Sequence, residues 1–211
     1  MGIISSPLPW PDTSMDHISI IKDIRKKNIA PVYFLMGEEP YFIDEITNCM
    51  EDDILSEGER VFGLNIVYGR DVSMKDVLHM ARAFPMSGDR QVVLVKEAQD
   101  MKDWKKSEEV LPFESYLKAP VPSTVLVFAY KDKSFDKRLK ISKAILKYAT
   151  VFTSDRIKEN KLADWIEGYV ASHGASIDHA ASNLIAEYLG NDLGKVVNEL
   201  GKLLIIVPKG T

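Results

Sequence analysis

The chain has 211 residues, 45% of them hydrophobic and 27% charged, the composition of a folded globular protein with one large domain or two smaller ones. A net charge of −4 gives no overall attraction for nucleic acid, so any such contact needs a local patch. The single cysteine, Cys49, excludes an internal disulfide and a cysteine-based zinc site, and no apolar run approaches the roughly 18 to 20 residues that cross a bilayer.

Residues 1–14 read as an irregular leader, with Pro7, Pro9 and Pro11 inside five positions and neither the basic start nor the apolar core of a signal peptide. Gly2 and Ser6 match the short myristoylation pattern, which is common enough to arise by chance. From about Asp16, the spacing of Ile18, Ile20, Ile21 and Ile24 predicts a helix closed by Arg25, Lys26 and Lys27, cations suited to a helix C-terminus. Val32–Met36 reads as a buried strand. The turn Gly37-Glu38-Glu39-Pro40 follows, then a helix carrying Ile43, Ile46, Met50 and Ile54, which together open a βαβ unit.

The alternation of Phe62, Leu64, Ile66 and Tyr68 predicts a second strand. Ser73 with Asp76 three residues on is a capping-box variant, and Met74, Val77, Leu78 and Ala81 continue that helix. Next comes an apolar cluster, Phe84, Pro85 and Met86, in a segment closed by Ser87, Gly88 and Asp89. The continuous run Val92–Val95 follows as a strand buried on both faces. Trp104 to Leu117 reads as mostly helical, kinked or restarted at Pro112. After Pro120 and Pro122, a buried strand covers Ser123–Phe128, a basic helix Asp136–Tyr148, and a short strand Thr150–Phe152.

No strand-like run appears beyond Ser154. Three helices follow, one carrying Leu162, Trp165, Ile166 and Tyr169 and stopping at His173-Gly174. A second is capped by Asp178, carries Ala181, Leu184, Ile185, Tyr188 and Leu189, and ends at Gly190. The third is capped by Asp192, carries Val196, Val197, Leu200, Leu203 and Leu204, and stops at Pro208. The expected fold class is therefore α/β, a mostly parallel sheet flanked by helices over residues 15–153, followed by a small three-helix lid over 154–211.

Catalytic chemistry finds little support. A phosphate loop needs glycines, a lysine and a hydroxyl, as in GxxxxGK[ST]. The loop after the first strand has one glycine, no lysine and two carboxylates; Glu38 and Glu39 read as paired acids or, more often for adjacent carboxylates in a turn, as a solvated loop. Gly190 to Lys195 is one residue short and lies between helices, and Lys96 with Glu97 stands where an acidic metal holder would follow the strand Val92–Val95. His17, His79, His173 and His179 share no metal-ligand spacing and suit surface or capping roles, and no Ser or Cys sits in a nucleophile elbow. The sequence thus points to no catalytic residue, no metal and no cofactor. The segment Lys131–Lys147 holds Lys131, Lys133, Lys137, Arg138, Lys140, Lys143 and Lys147 against Asp132 and Asp136, either the solvated side of an amphipathic helix or a nucleic-acid contact.

Four blocks in order, VYFLMGEEPYFIDE (Val32–Glu45), FPMSGDRQVVLVKEAQD (Phe84–Asp100), PSTVLVFAYKDKSFDKR (Pro122–Arg138) and LGNDLGKVVNEL (Leu189–Leu200), resemble the delta subunit of the bacterial DNA polymerase III clamp loader. The likeness runs from about Asn28 to Val207. It implies an AAA+ fold without its ATP site, in a subunit that binds the ring-shaped sliding clamp and holds it open for loading onto primed DNA. It also implies a cytoplasmic replisome component of a DNA-directed polymerase holoenzyme with no catalytic site of its own. The resemblance puts the clamp contact at Met86 and Ser87, ahead of Arg90-Gln91; the family has two large apolar residues there, so Ser87 is a departure, and from its own residues the candidate contact is extended to the apolar cluster Phe84, Pro85, Met86 and Ser87, with Phe84 expected to offset Ser87. Lys137, Arg138 and Lys140 are the candidates for DNA contact. Other loader subunits, gamma or tau and delta prime, are implied as partners through a C-terminal collar domain that would begin near Thr211, and no membrane is implied. Two rival readings are an atypical nucleotide-binding ATPase and a stand-alone DNA-binding module.

Overall fold

The computed structural model describes residues 16–206 apart from 134 and 137. The chain divides into two compact units, Met1–Glu38 with Phe42–Ser154, and Glu39–Tyr41 with Asp155–Thr211.

The first unit alternates helices and strands: α1 (His17–Arg25), β1 (Val32–Gly37), α2 (Pro40–Asp53), α3 (Glu57–Gly63), β2 (Leu64–Tyr68), α4 (Met74–Arg82) and β3 (Gln91–Lys96). After two 3₁₀ turns, Ala98–Asp100 and Lys102–Lys105, come α5 (Ser107–Lys118), β4 (Thr124–Tyr130), α6 (Lys140–Tyr148) and β5 (Thr150–Ser154). The five strands form one sheet in the order β2-β3-β4-β1-β5, and every pairing is parallel. Such a sheet needs cover on both faces, and β1 and β4 are buried at every position.

Strand alternation sends Phe34, Val93 and Phe128 to one face, where they pack against Val77 and Leu78 of α4, Phe113 of α5 and Ile145 of α6. Trp104 fills the middle of this layer, its ring 5.4 Å from that of Phe128 and 5.0 Å from that of Phe135. Its indole N–H donates to Ala98 O at 2.6 Å, so the ring is buried without leaving a donor unmet. Tyr33, Leu35, Val92 and Leu94 point to the other face and are equally buried, as are Ile20 of α1 and Ile43, Ile46 and Met50 of α2.

Several expectations are corrected. Phe62 lies in α3, a helix the alternation concealed, and β2 starts only at Leu64. Pro112 neither breaks nor restarts α5, which runs unbroken through it. The basic helix begins at Lys140 instead of Asp136, because Arg138 folds back on Asp136 in a turn ahead of it.

The second unit holds α7 (Glu159–Ser172), α8 (His179–Leu189) and α9 (Leu193–Ile206). Asp178 accepts from Ala181 N at 2.7 Å and Asp192 from Lys195 N at 3.1 Å, the two expected N-caps. Gly174 (φ +76°) and Gly190 (φ +66°) supply the positive φ after α7 and α8. Leu162, Ile166, Val170, Leu193, Val196 and Leu200 are buried. Leu184 and Tyr188 are not the core residues their spacing predicts; they are 67% and 87% exposed. Pro208 lies outside the described residues.

Candidate functional site

Two regions carry the sequence's functional expectations, and a parallel sheet separates them. The loop after β1 lies at the C-terminal end of the strands; the loop leading into β3 lies at the opposite end.

At the first, the chain's own groups take the positions a phosphate loop would need. Gly37 has φ +141° and lies against the main chain of Ser154 so closely that no side chain fits. The Glu38 N–H donates to Ser154 O at 2.9 Å. Glu39 is buried, not solvated as expected, and its Oε1 accepts from Tyr41 N at 3.1 Å in the first turn of α2. A helix N-terminus attracts anions, and here a carboxylate of the same chain is in place. Beyond it, Lys131 Nζ lies 2.6 Å from Asp44 Oδ1 and 3.3 Å from Glu97 Oε1. Burial alone would lower the Lys131 pKa, but the two carboxylates outweigh it and hold it above the ordinary lysine value. Lys96 turns to Glu51, 2.7 Å away. Among the described residues no group of three or more His, Cys, Asp or Glu is placed to hold a metal, and no helix is long and apolar enough to cross a membrane.

Three of the four histidines are engaged locally. His17 lies 3.0 Å from Asp16 and stacks near Phe42, His173 caps α7 through Tyr169 O, and His179 meets Glu167 at 2.7 Å. The four do not converge.

At the other end, α4 delivers the chain into the segment Ala83–Arg90. Phe84 is 88% and Met86 84% exposed, whereas Pro85 and Ser87 are half-buried. The two large apolar side chains therefore project, and Ser87 does not. Gln91, overlooked by motif reasoning, anchors the segment. Its buried side chain donates to Ala83 O at 2.7 Å and to Met80 O and Thr124 Oγ1 at 3.0 Å each. The one available signal was a polar residue opening an otherwise apolar strand.

The basic segment is dispersed. Arg138 is exposed but makes a two-point pair with Asp136 at 3.0 and 2.9 Å. That pair lowers the Asp136 pKa and raises that of Arg138. Lys140, Lys143 and Lys147 are exposed, opposite the buried Ile141, Ala144 and Ile145. Lys137 lies outside the described residues.

A wholly parallel five-stranded sheet in this order, with the loop after β1 filled by the protein's own groups, defines an AAA+-like α/β unit without a phosphate loop. The family model for the DNA polymerase III delta subunit matches residues 33–155, more than half of the chain, and the chain belongs to that family. A curated relative, the DNA polymerase III subunit delta of Bacillus subtilis (strain 168), is 24% identical over 190 residues, 88% of this chain and 55% of the relative. Among solved structures, the Bacillus subtilis DNA clamp loader delta protein matches with a TM-score of 0.73 at 24% identity, covering 90% of this chain and 57% of that one. A DNA polymerase III gamma subunit-related protein of Thermotoga maritima matches with a TM-score of 0.51 at 13% identity, covering 87% and 57%. At these identities the structures speak for the fold alone. The chain spans about half the length of these relatives.

Proposed function

We propose that this chain is a clamp-binding subunit of a bacterial clamp loader, gripping the sliding clamp with Phe84, Pro85, Met86 and Ser87 and holding its ring open for loading onto primed DNA. The observation that carries the reading is the pair Phe84 and Met86, which stand 88% and 84% exposed on a loop pinned at its base. Burying such side chains in a partner is worth roughly 1.5–3 kcal/mol each, and the flexible thioether of Met86 suits an irregular pocket. The tip opens a ring only by binding the open form better than the closed one.

The same reading makes the other loader subunits, gamma or tau and delta prime, partners of the full-length protein, places it in the cytoplasmic replisome, and carries Lys137, Arg138 and Lys140 as contacts to primed DNA in the assembled loader. The test is surface plasmon resonance of this chain against the cognate clamp. Met86→Ala is expected to weaken binding about tenfold. Full-strength binding by the variant rejects the wedge, no binding by the wild type rejects the function, and an unchanged DNA signal for Lys140→Glu in the loaded complex removes the DNA contact.

A further inference from the structure

We propose that Gln91 is a positioning residue for the tip. Its side-chain amide clasps the base of the loop and sets the direction in which Phe84 and Met86 project. The inference rests on reading that loop as the clamp contact.

Gln91 opens β3 and is only 5% exposed, ahead of four apolar residues that are fully buried. A buried amide is unfavourable unless its hydrogen bonds are met. Here the two N–H groups of Nε2 have three acceptors within reach, one N–H being shared: Ala83 O at 2.7 Å, and Met80 O and Thr124 Oγ1 at 3.0 Å each. Its main-chain N–H donates to Ser123 O at 2.8 Å. One residue thus joins the end of α4, the first residue of the loop and the start of β4. Ala83 immediately precedes Phe84, so the pinned carbonyl sits at the root of the projecting segment. At the far side, Gly88 has φ +71°, a backbone conformation that residues with a side chain rarely adopt, and a Cβ there would meet the end of the Glu59 side chain of α3. Phe84–Ser87 lie between the pinned carbonyl and this glycine. A loop held this way is ordered before it docks and loses less freedom on binding.

The test is electron paramagnetic resonance with a nitroxide on Met86→Cys in a Cys49→Ala background, beside clamp binding by the unlabelled protein. Gln91→Met keeps the length and volume but removes both donors. It is expected to sharpen the nitroxide line shape and, unlabelled, to weaken clamp binding about tenfold. Tyr116→Phe removes a different bond to α4, at Ala81 O, and is expected to leave the line shape unchanged. If Gln91→Met loses its cooperative melt, Gln91→Asn replaces it, since that amide is one methylene too short to reach. A line shape identical to wild type, or equal sharpening by Tyr116→Phe, overturns the proposal. Failure of the wild type to bind the clamp rejects the clamp reading instead, and the line shapes still decide the clasp.

Discussion

Lys131 stands one residue past β4 with carboxylates on two sides, Asp44 and Glu97, and its own N–H donates to Gln99 Oε1 at 2.9 Å. The lysine side chain is 15% exposed, but Asp44 and Glu97 keep 46% and 34% of theirs. The carboxylates therefore retain water, and the desolvation cost that can cancel a fully buried pair is reduced. Lys131→Met keeps the aliphatic volume and removes the charge; we expect a loss of about 1–2 kcal/mol, read from thermal melts. The sign with pH follows from a folded pKa raised above the unfolded one, near 10.4. The stabilisation is fully present below that value and disappears as pH rises through the folded pKa. The gap between wild type and Lys131→Met should accordingly hold between about pH 6 and 9 and close only in stronger alkali. Equal melting temperatures at neutral pH would show that the pair contributes nothing.

Among the elements, α4 carries the tip, and its start depends on a reciprocal cap. The Ser73 N–H donates to Asp76 Oδ2 at 3.0 Å, and the Asp76 N–H to Ser73 Oγ at 3.2 Å. Ser73→Ala should cost about 1 kcal/mol in melts at neutral pH. The Ser73 hydroxyl, then its N–H, hold the Asp76 pKa below the ordinary value near 3.9. The part carried by the Ser73 hydroxyl donating to the Asp76 carboxylate is present above that value and lost as pH falls through the folded pKa, so the gap between wild type and variant should narrow in acid to what the bond from the Asp76 N–H to Ser73 Oγ supplies. A gap that does not narrow down to about pH 2 would show that the hydroxyl–carboxylate bond adds nothing. This box was legible because Met74, Val77, Leu78 and Ala81 continue its helical period. Ser56 and Glu59 carry the same signature, yet α3 is not legible from it. Its last residue, Gly63, runs directly into β2, and no turn separates helical spacing from the alternation through Phe62. Leu184 and Tyr188 fail differently, since periodicity identifies a face and says nothing of whether another element covers it. The tip was legible as a greasy turn; Gln91 was not, because a single polar residue at a strand start belongs to no motif.

On the scale of the molecule, one parallel sheet keeps two ends with different chemistry. In open α/β sheets ligands gather at the C-terminal ends of the strands, where the chain order reverses across the sheet. β1 is that point here, since its neighbours are β4 and β5 while the chain leaves it for β2 at the edge. A triphosphate approaching it meets Asp44 and Glu97, and the nearby lysine is committed to both carboxylates. Moving Lys131 to a phosphate leaves two negative charges beside further negative charge, which opposes binding at any effective dielectric. Calorimetric titration of this chain with magnesium-ATP should therefore give no binding heat at millimolar nucleotide. The tip sits at the far end of the same rigid sheet, and β3 and β4 run between the sites, with Gln91 and Thr124 at one end and Glu97 and Lys131 just past the other. Clamp affinity should accordingly be the same with and without nucleotide. Measurable ATP binding that disappears in Lys131→Met would restore the ATPase reading. A clamp affinity that changes with ATP would mean that β3 and β4 couple the two ends, and would assign the fold a nucleotide response that the filled loop after β1 argues against.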